Sequence, residues 1–185
     1  MSVKLLFRKA PAEVRSLALD EGSRTSAVLG QILLAEMHGV RPRLEMLPVG
    51  VAPTESPADA VLVIGDRAIA DPPAEFCEAW DLGEQWRRLT GLPFVFAVWA
   101  ARPGIELAEV EPALGASRDL GCRQIEAIAD EQSAAMRLPR PVVLKYLREH
   151  LNFYLGAGER HGLDAFFQRA AALSLIPNHV GLAIP

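Results

Sequence analysis

The sequence has few cysteines, and their spacing excludes several kinds of site. Of the 185 residues only two are cysteine, Cys77 and Cys122, and they lie far apart along the chain. No Cys-x-x-Cys pair and no Cys/His spacing typical of a zinc site occurs, and a disulfide would depend on tertiary proximity alone. Two free thiols in a reducing compartment are therefore the interpretation that we favour.

The chain also lacks an excess of basic charge and any long apolar run. It carries 19 basic and 23 acidic residues, well mixed, for a formal net charge of −4. A nucleic-acid-binding protein would normally show a basic stripe, so we predict no nucleic-acid partner. No apolar run reaches the length of a membrane span, and residues 1–8 are too short and too charged for a signal peptide. We therefore predict a cytoplasmic protein that does not contact a membrane.

Familiar catalytic motifs are missing as well. The four histidines are scattered, and none has another histidine or a cysteine at the i+3 or i+4 position, so we predict no metal site. The glycines form neither a dinucleotide-binding fingerprint nor a P-loop, and no Gly-x-Ser-x-Gly nucleophile elbow occurs. The usual signatures of hydrolases are therefore absent.

Half of the chain is hydrophobic, and in its first half the apolar residues alternate between strand and helix patterns. Ser23 and Gly39 are candidate caps at the two ends of one helix, and residues 81–90 predict a second. Short apolar runs predict strands at Val3–Phe7, residues 17–19, Arg43–Leu47, Ala60–Ile64 and residues 94–99. This order of elements predicts an α/β fold with parallel strand pairing.

The second half of the chain is alanine-rich and helical. Apolar residues at three- and four-residue spacing mark helices around residues 125–129, 144–155 and 163–170. This half has too few strands to form an α/β domain alone, so we expect it to pack against a sheet supplied from elsewhere.

The sequence Ser23-Arg24-Thr25-Ser26 lies where a strand turns into a helix. The first amides of a helix lack intrahelical acceptors, and the helix dipole favours negative charge there. Three hydroxyls and a guanidinium add donors, and in an α/β sheet this position faces the crevice beyond the strand ends. These four residues are therefore candidate ligands of a carboxylate or phosphate. The alternative is that Ser23 only caps the helix and that Arg24 is solvated.

A second polar turn, Gly65-Asp66, directly follows the most apolar predicted strand. Glycine allows a tight turn and a close approach of the backbone to a ligand, and Asp66 then lies at the carboxyl end of the strand. Asp66 is therefore a candidate to orient a substrate hydroxyl or to accept a proton. The alternative is a turn aspartate, or the cap of a helix that begins near Arg67.

Beyond these local patterns, residues 81–99 (DLGEQWRRLTGLPFVFAVW) resemble a signature of the menaquinone enzymes of the futalosine pathway. Within that group the ending FVFAVW is similar to the chorismate dehydratases, whereas the dihydroxynaphthoate synthases share the earlier part and diverge after the proline. The SRTS and Ile-Gly-Asp segments resemble two other motifs of the family in the same order. The chain around Tyr154, residues 163–167 and residues 175–177 also resembles the family's C-terminal helices.

The resemblance implies a periplasmic-binding-protein-like (type II) fold, in which two α/β lobes enclose a cleft. Val3–Phe7 and residues 94–99 are then expected to be hinge strands between the lobes. Residues 1–99 would form a hinge strand plus an α/β lobe, and residues 100–185 a helical segment that completes the other lobe. Family members carry a further stretch before this point, including a cleft asparagine, so we expect the first lobe to be incomplete in this chain.

The resemblance also implies an activity: a lyase that dehydrates chorismate to 3-[(1-carboxyvinyl)oxy]benzoate in menaquinone biosynthesis, without a cofactor. On this hypothesis a substrate carboxylate is bound by Ser23, Arg24, Thr25 and Ser26, and Gly65 is a further substrate-binding residue. Ser2, at the position of a cleft serine in the family, and Asp66 are the candidate catalytic residues. They would contact the leaving hydroxyl or the second carboxylate. The alternatives are a non-catalytic small-anion-binding protein of the same fold and dihydroxynaphthoate synthase, and the sequence leaves open both the proton-removing base and a homodimer.

Overall fold

Five strands form one mixed sheet in the part of the chain that the computed structural model describes, residues 2–69, 71–102 and 104–177. The strands are β1 (Val3–Phe7), β2 (Ser16–Asp20), β3 (Arg43–Leu47), β4 (Ala60–Ile64) and β5 (Glu78–Asp81), and they lie in the order β3-β2-β4-β1-β5. β2 pairs in parallel with both β3 and β4, while β1 is antiparallel to β4 and β5. The predicted α/β class is confirmed, and the parallel pairing holds for the middle and one edge of the sheet.

The described residues also form seven α-helices. Those that accompany the sheet are α1 (Thr25–His38), α2 (Asp66–Ile69), α3 (Leu82–Thr90) and α7 (Ala157–Ala172). The other three are α4 (Val110–Arg123), α5 (Ile125–Met136) and α6 (Arg140–Lys145). The chain divides into two compact units, unit 1 with Met1–Ala97 and Gly156–Pro185 and unit 2 with Val98–Leu155. The predicted division into residues 1–99 and 100–185 concerns the lobes of the family fold and stays a prediction.

The core of unit 1 lies on both faces of the sheet, because successive side chains of a strand point to opposite faces. On one face Leu5 and Leu62 pack with α1, α3 and α7, whose buried members include Trp86 and Phe166. On the other face a smaller apolar cluster covers the alternate positions of the same strands. A strand with apolar residues at every position, such as β4, is therefore buried on both sides, as its sequence predicts.

Local capping explains where two of the helices begin and end. The Asp81 carboxylate accepts the Glu84 amide at 2.9 Å, which satisfies one of the unpaired donors at the start of α3. Gly39 after α1 and Gly91 after α3 have φ of 69° and 74°, a left-handed conformation that favours glycine. The predicted helix ends at these glycines are confirmed.

The strand predicted at residues 94–99 is wrong, because no regular secondary structure is assigned there. A strand needs a neighbour to pair with its backbone, and the sheet among the described residues ends at β5, which the sequence did not reveal. The apolar side chains of the segment pack against other aromatic rings instead. The Phe94 ring lies edge-on to the rings of Trp86, Phe96 and Phe166, with centroids 4.6–5.3 Å apart.

Unit 2 is helical and has little buried apolar surface of its own. Among its described residues the buried hydrophobic side chains are Ala129 and Val143. The helix predicted over residues 144–155 is shorter than expected: α6 ends at Lys145, a π-helical turn follows, and regular structure stops after His150. Within the described parts of both units, no helix combines the length and the apolar character needed to span a bilayer.

Candidate functional site

All seven predicted site residues lie at one edge of the sheet in unit 1. The carboxyl ends of β2 and β4 meet there because the two strands are parallel, and the amino end of β1 joins them because β1 is antiparallel to β4. We name this group the carboxyl-edge site, and it comprises Ser2, Ser23, Arg24, Thr25, Ser26, Gly65 and Asp66. In α/β sheets this edge is the usual place for a ligand.

The loop from β2 to α1 is shaped by hydrogen bonds to its own backbone. The Ser23 amide donates to the Asp20 carbonyl at 3.1 Å, and the Gly22 amide donates to the Asp20 carboxylate at 3.0 Å. The Ser26 amide then donates to the Ser23 hydroxyl at 3.2 Å, so Ser23 provides the capping bond of α1. Ser23 therefore caps the helix, as the alternative interpretation held, and it does so at the place where an anion site was predicted.

Donors remain at the start of α1. Within the described part of the chain, the amides of Arg24 and Thr25 make no backbone hydrogen bond. The exposed Arg24 guanidinium pairs with no carboxylate of the described residues, and the Thr25 side chain is half-buried beside it. Ser26 is buried and faces the interior. Two free amides, a hydroxyl and a cation at the positive end of a 14-residue helix suit an anionic group.

The second loop of the site is the turn after β4. Gly65 has φ of 69°, and its amide donates to the Ser2 carbonyl at 2.8 Å. This bond places the start of β1 directly beside the turn, so Ser2 lies next to Gly65. Asp66 is exposed and is the first residue of the short helix α2. The backbone of Asp66 therefore begins a helix, as the alternative interpretation held. Its carboxylate is exposed and accessible to a ligand.

The two loops are joined by an ion pair that sequence reasoning missed. Arg67 of α2 donates through Nη2 to the carboxylate of Asp20, whose side chain is only 2% exposed. The same guanidinium donates through Nη1 to the Val51 carbonyl at 2.9 Å. A Cβ placed on Gly22 would lie 3.7 Å from the Ile64 side chain, so the loops also adjoin directly. The only signal in the sequence was an aspartate that ends an apolar strand.

Metal ligands are not gathered in the described part of the chain, where no three His, Cys, Asp or Glu side chains surround a common point. The absence of a cofactor stays a prediction. The functional groups of the carboxyl-edge site are hydroxyls, backbone amides, one exposed guanidinium and one exposed carboxylate. Such a set can bind a carboxylate, orient a hydroxyl and transfer a proton.

The fold and the candidate site together define an α/β protein whose carboxyl-edge site has groups suited to a small anion. Residues 1–172 match a family model described as menaquinone biosynthesis. The chain is also 34% identical over 194 aligned positions to a chorismate dehydratase of Thermus thermophilus, with 94% of this chain and 68% of that protein covered. The chain therefore belongs to the menaquinone biosynthesis family, and the family resemblance drawn from residues 81–99 is confirmed.

Proposed function

We propose that this protein is a hydro-lyase that dehydrates chorismate to 3-[(1-carboxyvinyl)oxy]benzoate in menaquinone biosynthesis. The observation that carries the proposal is the 34% identity to the Thermus chorismate dehydratase over 94% of the chain. Family membership supports the pathway. The futalosine branch of that pathway is supported by the resemblance of residues 81–99.

The reaction needs a site that holds two carboxylates and manages two proton transfers, one from the ring carbon and one to the leaving hydroxyl. The ring hydroxyl leaves with the electrons of its C–O bond, a ring C–H bond gives up its proton, and the new double bond completes an aromatic ring. Water is the only other product, and the enolpyruvyl ether is retained. Aromatisation supplies driving force, so the protein mainly has to hold the diene in geometry and assist proton transfer.

The carboxyl-edge site supplies groups for these tasks. We assign the free amides at the start of α1, the Thr25 hydroxyl and the Arg24 guanidinium to one substrate carboxylate. Ser23 and Ser26 hold this helix start in shape, and Gly65 lets the backbone approach the ligand. Ser2 and Asp66 are assigned to the leaving hydroxyl or the second carboxylate. A substrate carboxylate can itself remove the ring proton.

We further propose that these loops belong to a periplasmic-binding-protein-like fold, with residues 1–99 and 100–185 contributing to different lobes. The parallel strands β2, β3 and β4, with a site at their carboxyl ends, support this architecture. The cytoplasm is the proposed location, supported by the free thiols of Cys77 and Cys122. A homodimer stays a prediction that light scattering of the purified protein would check.

The proposal is tested by incubating the purified protein with chorismate and following products by liquid chromatography and mass spectrometry. The 185-residue chain and a product that includes any in-frame coding sequence before Met1 are assayed side by side. Formation of 3-[(1-carboxyvinyl)oxy]benzoate is expected. Chorismate that binds to the folded protein but stays intact would instead favour the anion-binding module. If the folded protein neither binds nor converts chorismate, dihydroxynaphthoate synthase remains as the alternative.

A further inference from the structure

The buried carboxylate of Asp20 has a set of partners that the reaction itself does not require. A charge in the interior is costly unless it is paired and hydrogen-bonded. Asp20 meets both conditions, since its carboxylate accepts from the Gly22 amide at 3.0 Å and pairs with the Arg67 guanidinium. Its backbone carbonyl accepts from Ser23. One residue thus holds three points around the β2–α1 loop.

Arg67 extends this arrangement to the neighbouring loops. One terminal nitrogen of its guanidinium donates to the Asp20 carboxylate. The other donates to the Val51 carbonyl at 2.9 Å. Its backbone belongs to α2, which directly follows the Gly65–Asp66 turn. The planar fork of arginine can hold two acceptors in fixed directions, whereas a lysine ammonium cannot reproduce that geometry. Arg67 therefore ties together the loops that follow β2, β3 and β4.

We propose that Asp20 and Arg67 are positioning residues, whose ion pair holds the helix start at Arg24 and Thr25 against the Gly65–Asp66 turn. This inference rests on the proposed function of the carboxyl-edge site. Neither residue is assigned to the substrate. Their effect passes through the chain of bonds from Asp20 to Ser23 and from Ser23 to Ser26. Groups that bind one ligand together must be held at a fixed spacing before it arrives, so a rigid link between the loops matters for binding.

Three variants of the ion pair and one control test this inference. Asp20→Asn keeps the shape and one acceptor oxygen but removes the charge, and Arg67→Gln removes the partner. The double variant D20N/R67Q shows whether the two residues act as a unit. The control is Asp59→Asn, because Asp59 also pairs with a cation and accepts the amides of Arg15 and Ser16, but at the opposite end of β2.

The first readout is hydrogen exchange of the hydrogen-bonded amides of Glu21, Gly22, Ser23 and Ser26 in the full chain without ligand. We expect exchange to be accelerated about tenfold or more in D20N and R67Q, since the loop loses its anchor to the neighbouring turn. D59N should leave exchange in this loop unchanged. The double variant should exchange no faster than the more affected single variant, as expected when one interaction has been removed twice.

The second readout is the steady-state kinetics with chorismate. The KM of D20N and R67Q should rise about tenfold or more, with a smaller change in kcat, because the site is displaced while its groups stay intact. Wild-type KM and wild-type loop exchange in both variants would overturn the inference, and so would an equal rise of KM in D59N. A wild-type protein that does not convert chorismate would refute the proposed function instead, and loop exchange would still decide the role of the ion pair. Should D20N fail to fold, R67Q decides, because its side chain is 33% exposed.

Discussion

Among single residues, Thr25 carries the clearest prediction about ligand binding. Its half-buried side chain lies at the first position of α1, beside amides without a backbone partner. Replacing it by leucine removes a hydroxyl and places apolar bulk over these donors. Hydrogen bonds to charged groups are worth about 1.5–3 kcal/mol, so the KM for chorismate should rise by about tenfold or more in T25L.

The matched control for this variant is Thr25→Ser, which keeps the hydroxyl and should keep the KM close to that of the wild type. Both variants should melt near the wild-type temperature, since a first-turn position at the surface tolerates either residue. An unchanged KM in T25L would contradict the assignment of the helix start to a substrate carboxylate.

Asp59 predicts a pH dependence of stability. The pKa of its carboxyl is lowered, first by the hydrogen bond from Lys9, while burial opposes the shift and the Arg15 and Ser16 amides add to it. Because the folded pKa lies below the unfolded one, the stabilisation is present above the ordinary carboxyl pKa of about 4 and is lost as the pH falls through the lower, folded value. Asp59→Asn should therefore cost about 1–2 kcal/mol at pH 7.

This difference should shrink as the solution is acidified, because the wild-type carboxylate becomes protonated while the amide of the D59N variant does not titrate. Urea unfolding of the two proteins at neutral pH and at several values below pH 5 measures the effect. A difference that is the same at every pH would mean that the Lys9–Asp59 pair adds nothing through its charge.

Among the elements, the approach of α7 to the segment after α3 depends on one glycine. A Cβ built on Gly162 would lie 2.1 Å from the carbonyl oxygen of Pro93, which also accepts the Trp86 indole N–H at 3.3 Å. Gly162→Ala must therefore push α7 away from the packing around Phe166. We expect a loss of about 1–3 kcal/mol in the free energy of unfolding, the usual cost of overpacking.

Gly158→Ala is the control one turn earlier in the same helix. A Cβ there would meet Pro93 at 3.8 Å, an ordinary contact, and alanine favours helix more than glycine does. Thermal or urea unfolding should show G158A as stable as the wild type or slightly more so. A G162A variant as stable as the wild type and G158A would indicate that α7 does not pack closely at Gly162.

The elements that the sequence predicted well are those whose signals are local. β1, β3 and β4 have the predicted bounds, and α3 ends where Gly91 predicts. The failures are elements that depend on a neighbour. Residues 94–99 have the composition of a buried strand but no partner among the described residues, while β5 has a weak pattern and pairs with β1 nonetheless. The apolar composition of a segment indicates that it is buried, but it does not show whether a second segment lies beside it to form a strand pair.

Across the molecule, the two compact units differ in the core that each contains. In unit 1 large side chains such as Trp86, Phe7 and Leu62 are fully buried, whereas the described part of unit 2 buries only Ala129 and Val143 among its apolar residues. Its surface is linked by ion pairs instead, including Arg140 with Glu126 and Asp130. Exposed ion pairs contribute little to stability, so unit 2 should open more readily.

Native-state hydrogen exchange in low urea measures this difference. Amides of α4 and α5 should exchange through openings that cost clearly less free energy than those of β1 and β4, which should approach the global value. The comparison is made within one sample, so protein concentration and pH are matched. Equal protection of the two sets of amides would show that unit 2 is stabilised by more than its own described core.

The sequence predicted which loops form the candidate site, but not the ion pair that connects them. Residues 23–26 and the Gly65–Asp66 turn were found because a helix start and a glycine turn at strand ends have recognisable local chemistry. Their closeness follows from the parallel pairing of β2 and β4. The Asp20–Arg67 pair was not predictable, because 47 positions separate the two residues and either could have been solvated.

Local sequence was sufficient for the α/β class, the ends of α1 and α3, and the family. These depend on interactions between residues a few positions apart, or on a long specific motif. Three other features required the folded chain: residues 94–99 pack as an irregular segment, β5 joins the sheet, and Asp20 is buried against Arg67. Each of these depends on which distant segment lies alongside, since the stability of a strand edge or a buried charge depends on what faces it.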